Sequence, residues 1–347
     1  MIQPENIVRV LLVDDSGLVR DMIRAILESD PGIVVVGEAS NGVEAVAKVA
    51  SLKPDIVTMD IEMPVMGGLE AIGKIIAKHP VPILVVTAST GVRTAFAAIS
   101  KGALDVIEKS DISPENSLSL IQKIRYLAKV DVSAHLQIMK RRSETGGVCG
   151  TAVQKGVSKT GIVAIAASTG GPQVIHAILS HLPAAFPVPI VIAQHVAEGF
   201  TQGMVDWLNG GTPLTVVMAE NGARLVPGHV YVNPAEYSMR ISPQGMILLG
   251  DRDAGEIYHP SCDTLLTSIA TEYRNGAVGL IMSGMGDDGV AGMQAIKMAG
   301  GVTLAQDETS SVVFGMNRVA VERGFINKKL ALADIPAELM QLAGGSR

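Results

Sequence analysis

Cysteine is nearly absent from this chain: Cys149 and Cys262 are the only two among 347 residues. They are too few and too far apart for a zinc site, and the compartment expected below argues against a structural disulfide, so both are expected to be ordinary thiols. Long apolar runs are missing too. Apolar residues make up 48% of the chain, but Gly, Pro and charge interrupt them before any stretch reaches the roughly 18 residues that read as a membrane span. The segment Met1-Ile2-Gln3-Pro4-Glu5-Asn6 has neither the basic start nor the apolar core of a signal peptide, which points to a cytoplasmic location. Positive charge is also short: 28 Lys and Arg face 34 Asp and Glu, a net charge of −6. With no basic face and no helix-turn-helix pattern in the C-terminal half, no nucleic-acid partner is expected; a monomer without direct membrane insertion is expected as well.

What the chain does have is strand-helix rhythm, at a length sufficient for two domains. From residue 8 to about 127, short Val/Ile-rich runs alternate with helical patterns, giving about five βα units and hence a parallel sheet. Leu18, Met22, Ile23, Ile26 and Leu27 follow helical spacing after the first run. The run Val8 to Val13 ends in Asp14-Asp15, and another ends in Asp60. Two acidic strand ends in one domain suggest a pocket for a divalent cation. Thr87 closes Ile83 to Val86, and Lys109 closes Leu104 to Glu108. Open α/β sheets bind ligands at the carboxyl ends of their strands, where all five residues fall.

This set, within Thr58-Met59-Asp60-Ile61-Glu62-Met63-Pro64 and its partners, resembles the receiver domain of two-component response regulators. The resemblance implies a flavodoxin-like five-stranded parallel sheet over residues 1–127 and Asp60 as the phosphoacceptor. Asp14, Asp15 and Asp60 offer hard oxygens suited to Mg²⁺. Lys109 and Thr87 would contact the arriving phosphoryl oxygens, one as a charge and one as a hydroxyl donor. Ser110 and Val106 stand where receivers usually have proline and an aromatic residue. The phosphorylation chemistry is expected to survive that difference, while signalling through an aromatic switch is put in doubt.

Periodicity weakens over 128–159, where Lys140-Arg141-Arg142 and Gly146-Gly147 mark a linker. The βα rhythm then resumes over 160–347. Ile162 to Ala167 is a buried-strand run that stops at Ser168-Thr169-Gly170-Gly171-Pro172, with Pro172 suited to a first helical turn. Such a turn either cradles a phosphate on free N–H groups or presents a nucleophilic serine. Elsewhere Pro189 to Ala193 ends in Gln194-His195, and Ala277 to Met282 runs into Ser283-Gly284-Met285-Gly286-Asp287-Asp288-Gly289. Serine, histidine and aspartate thus converge on one sheet edge, as a catalytic triad requires. Composition does not choose between Asp287 and Asp288.

Taken with Gly199-Phe200-Thr201, Pro260-Ser261 and Phe314-Gly315-Met316, these motifs resemble the catalytic domain of the chemotaxis protein-glutamate methylesterases. The resemblance implies a larger doubly wound α/β domain with a mainly parallel sheet, and a Ser168, His195, Asp288 triad. The N–H of Thr169 would serve as oxyanion donor, with that of Met285 as the second candidate. It further implies hydrolysis of glutamyl methyl esters and deamidation of glutamines on methyl-accepting chemotaxis receptors, a chemotaxis histidine kinase as phosphodonor, and no cofactor in the catalytic domain. The receiver is expected to inhibit the hydrolase until Asp60 is phosphorylated. Asp287 is expected to cap the following helix. Val196-Ala197-Glu198 and Asn317 depart from the family's usual residues, with receptor fit as the expected consequence. The competing possibility is a response regulator whose output domain binds a ligand or protein without catalysis.

Overall fold

A computed structural model of the chain describes residues 7–88, 92–135, 137, 160–252, 256 and 258–344. Two compact units divide it, Met1–Gln137 and Ile138–Arg347. Of the segment expected to be a linker, Val132 and His135 are buried, while 138–159, including the basic triplet and Cys149, lie outside the described residues.

In the first unit five strands, β1 (Val8–Val13), β2 (Ile33–Ala39), β3 (Ile56–Met59), β4 (Ile83–Thr87) and β5 (Asp105–Glu108), alternate with five helices. The helices are α1 (Gly17–Leu27), α2 (Gly42–Leu52), α3 (Gly68–Lys78), α4 (Val92–Ser100) and α5 (Ser117–Leu127). The sheet order is β2-β1-β3-β4-β5 and every pairing is parallel. All of β3 and β4 is buried, as strands covered by helices on both faces must be. In α1 the periodic set splits: Ile23, Ile26 and Leu27 enter the core, whereas Leu18 is 75% exposed and Met22 40%. Helical spacing located the helix correctly, but its first turn faces solvent.

The second unit carries β6 (Ile162–Ala167), α6 (Gly171–Leu179), β7 (Ile190–Gln194), α7 (Thr201–Gly211), β8 (Thr215–Met218) and β9 (His229–Val232). A hairpin, β10 (Ser238–Ile241) with β11 (Ile247–Gly250), leads to α8 (Cys262–Tyr273) and β12 (Ala277–Ile281). Then follow α9 (Val290–Met298), β13 (Val302–Gln306), α10 (Met316–Glu322), β14 (Lys328–Leu330) and α11 (Ile335–Gly344). Seven strands pair in parallel in the order β14-β13-β12-β6-β7-β9-β8.

Both sheets start near their middle and reverse direction once. The reversal falls between β1 and β3 in the first unit and between β6 and β12 in the second. Such switch points open a crevice at the carboxyl ends of the flanking strands, because the adjoining helices leave on opposite faces. Asp14 and Asp60 follow the first pair of strands; Ser168 and the Ser283–Gly289 loop follow the second.

Candidate active site and phosphoacceptor site

At the second switch point the register of β6 and β7 aligns Ala167 with Gln194, so Ser168 and His195 leave adjacent strands side by side. Gly170, at φ +75°, turns the chain from β6 into α6, a left-handed conformation that costs glycine little. His195 places Nδ1 3.0 Å from Ser168 Oγ and Nε2 2.7 Å from Asp288 Oδ2. The strand order explains that orientation of the ring. Nδ1, close to the backbone, suffices to reach the neighbouring strand, and the more distant Nε2 is needed for Asp288, which follows β12 two strands away. Ionised Asp288 only accepts hydrogen bonds, so it fixes the proton on Nε2 and leaves the Nδ1 lone pair to take the Ser168 hydroxyl proton.

Asp288 is held from a third side. Ser261 caps α8 by accepting from Thr264 N–H at 3.2 Å, which leaves the first N–H groups of the helix unpaired. Those of Cys262 and Asp263 donate to the Asp288 carboxylate at 2.7 and 2.9 Å, and Gly289 N–H adds a third bond at 3.0 Å. Burial pushes the Asp288 carboxyl up, but His195 and these N–H groups outweigh it and hold the acid below its ordinary value. Asp287 is exposed. Its backbone carbonyl accepts from Val290 N–H at 3.1 Å, and α9 has no side-chain cap, so the capping expected of its carboxylate is not found.

Among the described residues no acceptor faces the N–H of Thr169 or that of Met285, so both are free to donate to a ligand beside Ser168. The Tyr258 ring stacks on His195, with centroids 5.1 Å apart and planes within 3°. Glu256, Tyr258, Ser261, Asp263, Asp287 and Arg323 are among the residues lining an adjoining cavity of about 340 Å³. In it, burial first and the nearby aspartates next push the Asp263 carboxyl up to about 6. Asn317, expected to bear on receptor fit, is fully buried and donates to Gln306 O at 3.0 Å and Ser311 Oγ at 2.9 Å. Its contribution is to the core.

His195, Cys262 and Asp288 are close enough together to be tested as metal ligands. The chemistry does not fit: burial, then the Asp288 charge, push the Cys262 thiol well above its ordinary value, whereas metals bind thiolate. The carboxylates of Asp14, Asp15 and Asp60, whose oxygens lie within 4.8 Å of one another, do form a donor set suited to a hard divalent cation. Lys109 Nζ stands 2.8 Å from Oδ2 of both Asp14 and Asp60. Its approach to Asp14 reaches ion-pair distance without hydrogen-bond alignment. Burial, joined by the Asp14 charge, raises Asp60 against the pull of Lys109. Thr87 ends β4 fully buried, its hydroxyl 3.5 Å from Ala88 O.

Fold and site together define a receiver domain joined to an α/β domain with serine-hydrolase geometry. Comparison with known proteins gives the particular family. Residues 163–339 match the CheB methylesterase family and residues 10–122 the response regulator receiver domain family. A protein-glutamate methylesterase/protein-glutamine glutaminase of Paramagnetospirillum magneticum is 44% identical, across 98% of this chain and 97% of its own. One from Anaeromyxobacter dehalogenans is 38% identical, across 96% and 97%. The CheB methylesterase catalytic domain of Thermotoga maritima, a crystal structure, superposes with a TM-score of 0.52 at 35% identity, covering 53% of this chain and 98% of that one. The chain belongs to the CheB methylesterase family.

Proposed function

We propose that the chain is a phosphorylation-regulated esterase that removes methyl groups from glutamyl methyl esters of chemoreceptors and deamidates receptor glutamines. The observation that carries this reading is the continuous hydrogen-bonded chain from Ser168 through His195 to Asp288 at the sheet's switch point. His195 Nδ1 takes the Ser168 proton as Oγ attacks the ester carbonyl carbon. The oxygen of that carbonyl becomes an anion facing the N–H groups of Thr169 and Met285. Collapse of the tetrahedral intermediate breaks the C–O bond, and the imidazolium protonates the departing methoxide to methanol; from a glutamine the same step releases ammonia. Water, deprotonated by Nδ1, then hydrolyses the acyl-enzyme and regenerates Ser168. A turn that merely bound a ligand would have no need of a base whose tautomer is fixed by a buried carboxylate.

Regulation is assigned to Asp60 as phosphoacceptor, with a chemotaxis histidine kinase as donor. Asp14, Asp15 and Asp60 would hold Mg²⁺, which when bound supplies positive charge to phosphoryl oxygens. Lys109 contributes a second charge and Thr87 a hydroxyl. No described helix is long and apolar enough to cross a membrane. The test is methanol release from methyl-labelled receptor with and without a small-molecule phosphodonor. Release that rises with the donor supports both halves of the reading; absence of release under both conditions defeats it.

A further inference from the structure

Gln194, 1% exposed at the end of β7, is used by none of the steps above, yet it touches the backbone of both reacting residues. Its Nε2 donates to Ser168 O at 2.8 Å and to His195 O at 2.9 Å. Its Oε1 is buried and has no partner among the described residues. A side-chain amide that leaves one buried oxygen unsatisfied so as to engage two main-chain carbonyls is costly for stability alone. Gly171 makes room for the arrangement, because a Cβ there would lie 1.9 Å from Gln194 Oε1.

The consequence follows from peptide planarity. The Ser168 carbonyl and the Thr169 N–H belong to one planar trans unit and point in opposite directions. Whatever holds Ser168 O therefore aims Thr169 N–H the other way, and Ser168 O is held by Gln194 and by Gly171 N–H at 2.7 Å. The next peptide is held independently: Thr169 O accepts from Ser283 Oγ at 2.7 Å. Ser283 Oγ accepts in turn from Val313 N–H at 3.0 Å, and Ser283 N–H donates to Gln306 Oε1 at 3.0 Å. Ser283 is fully buried and lies two residues before Met285.

We propose that Gln194 and Ser283 are positioning residues that clamp the peptides on either side of Thr169, fixing its N–H as a preorganised oxyanion donor. The clamp rests on the esterase reading and adds to it the source of transition-state alignment. Such a role shows in kcat rather than KM, because the anion exists only in the transition state.

The test uses the full-length chain with methyl-labelled receptor under one fixed phosphodonor condition. Gln194→Met keeps length and bulk but removes the donor; Ser283→Ala removes the second bond with a smaller change of volume. Each is expected to lower kcat by about ten- to a hundredfold, with KM within about twofold. Affinity for a trifluoromethyl ketone analogue of the glutamyl ester, which forms the tetrahedral oxyanion, should fall in the same proportion as kcat. Wild-type kcat in both folded variants, or a loss of thermal stability with kcat and analogue affinity unmoved, overturns the clamp. Should Gln194→Met not fold, Ser283→Ala decides alone. Ser168→Ala in the same assay separates the two ideas: if it retains full activity the esterase reading fails, and if it is inactive while both clamp variants are normal only the clamp fails.

Discussion

Asp60 and Asp288 occupy equivalent places, each buried in a loop after a central strand at the switch point of a parallel sheet, and their surroundings treat them oppositely. Asp288 receives three backbone N–H groups and an imidazole, and its carboxyl is held down. Asp60 shares its pocket with Asp14, has Lys109 and the Ile61 N–H at 2.7 Å as its principal donors, and is raised by burial. One carboxylate is fully satisfied and suited to remain ionised through a reaction in which it forms no bond. The other is left short of positive charge, which a bound cation can supply. In the proposed reading the same side chain is a fixed part in one unit and a reactive part in the other, and the difference lies in the N–H groups, the imidazole and the neighbouring carboxylate that surround each.

The severest way to break this comparison is to remove the hydroxyl that the proposed mechanism makes the nucleophile. Ser168→Ala should fold normally and lose ester hydrolysis by about a millionfold, on the scale seen when a triad nucleophile is deleted; methanol release near the wild-type rate would refute the assignment. Next in size, Asp288→Asn should lower kcat by about ten-thousandfold, since a neutral amide does not fix the imidazole tautomer. Exposed Asp287→Asn should stay within about threefold of wild type. Assaying the two on one receptor preparation tests whether the satisfied carboxylate is the one that matters.

Asp60→Asn should leave unstimulated activity intact and abolish the response to phosphodonor. Chelation of Mg²⁺ should do the same to the wild type, read by incorporation of labelled phosphate. The smallest effect concerns Asp263, an acid raised from 3.8 to about 6. Folded protein then keeps a proton that unfolded chain has released, so this group's contribution to stability is complete below about pH 4 and is lost as pH rises to about 6. Asp263→Asn, which can still accept the Gly292 N–H, should flatten that part of the urea-midpoint curve. An unchanged slope would show that the acidic cavity is not destabilising. Asp288 acts with the opposite sign, its contribution being lost as pH falls below the ordinary carboxylate value.

Much of this is legible in the sequence, because in a parallel α/β fold candidate reacting groups sit where an apolar run meets a polar residue. Ser168, His195 and Asp60 each mark such a boundary, and the β6 to α6 turn was signalled by Gly170-Gly171-Pro172. What stayed hidden depends on tertiary packing. Tyr258 lies in a stretch with no periodicity, and nothing local says that its ring covers His195. Which polar atoms Gln194 offers to the backbone follows from the register of β6 on β7, not from its neighbours in sequence. The short edge strand β14, with Lys328 and Lys329 exposed, carries no apolar alternation to announce it. Leu18 and Met22 show the converse: a helical pattern promised burial that α1 gives only to its later turns.

The way the His195 ring is turned has a spectroscopic and chemical signature. A proton shared between Nε2 and a buried carboxylate should resonate far downfield, and selective ¹⁵N labelling should show it coupled to Nε2 rather than Nδ1. The nitrogen left open toward bound substrate is Nδ1, so a halomethyl ketone built on the glutamyl side chain should alkylate that atom. The product would be the Nδ1-substituted histidine, distinguishable from its isomer after acid hydrolysis.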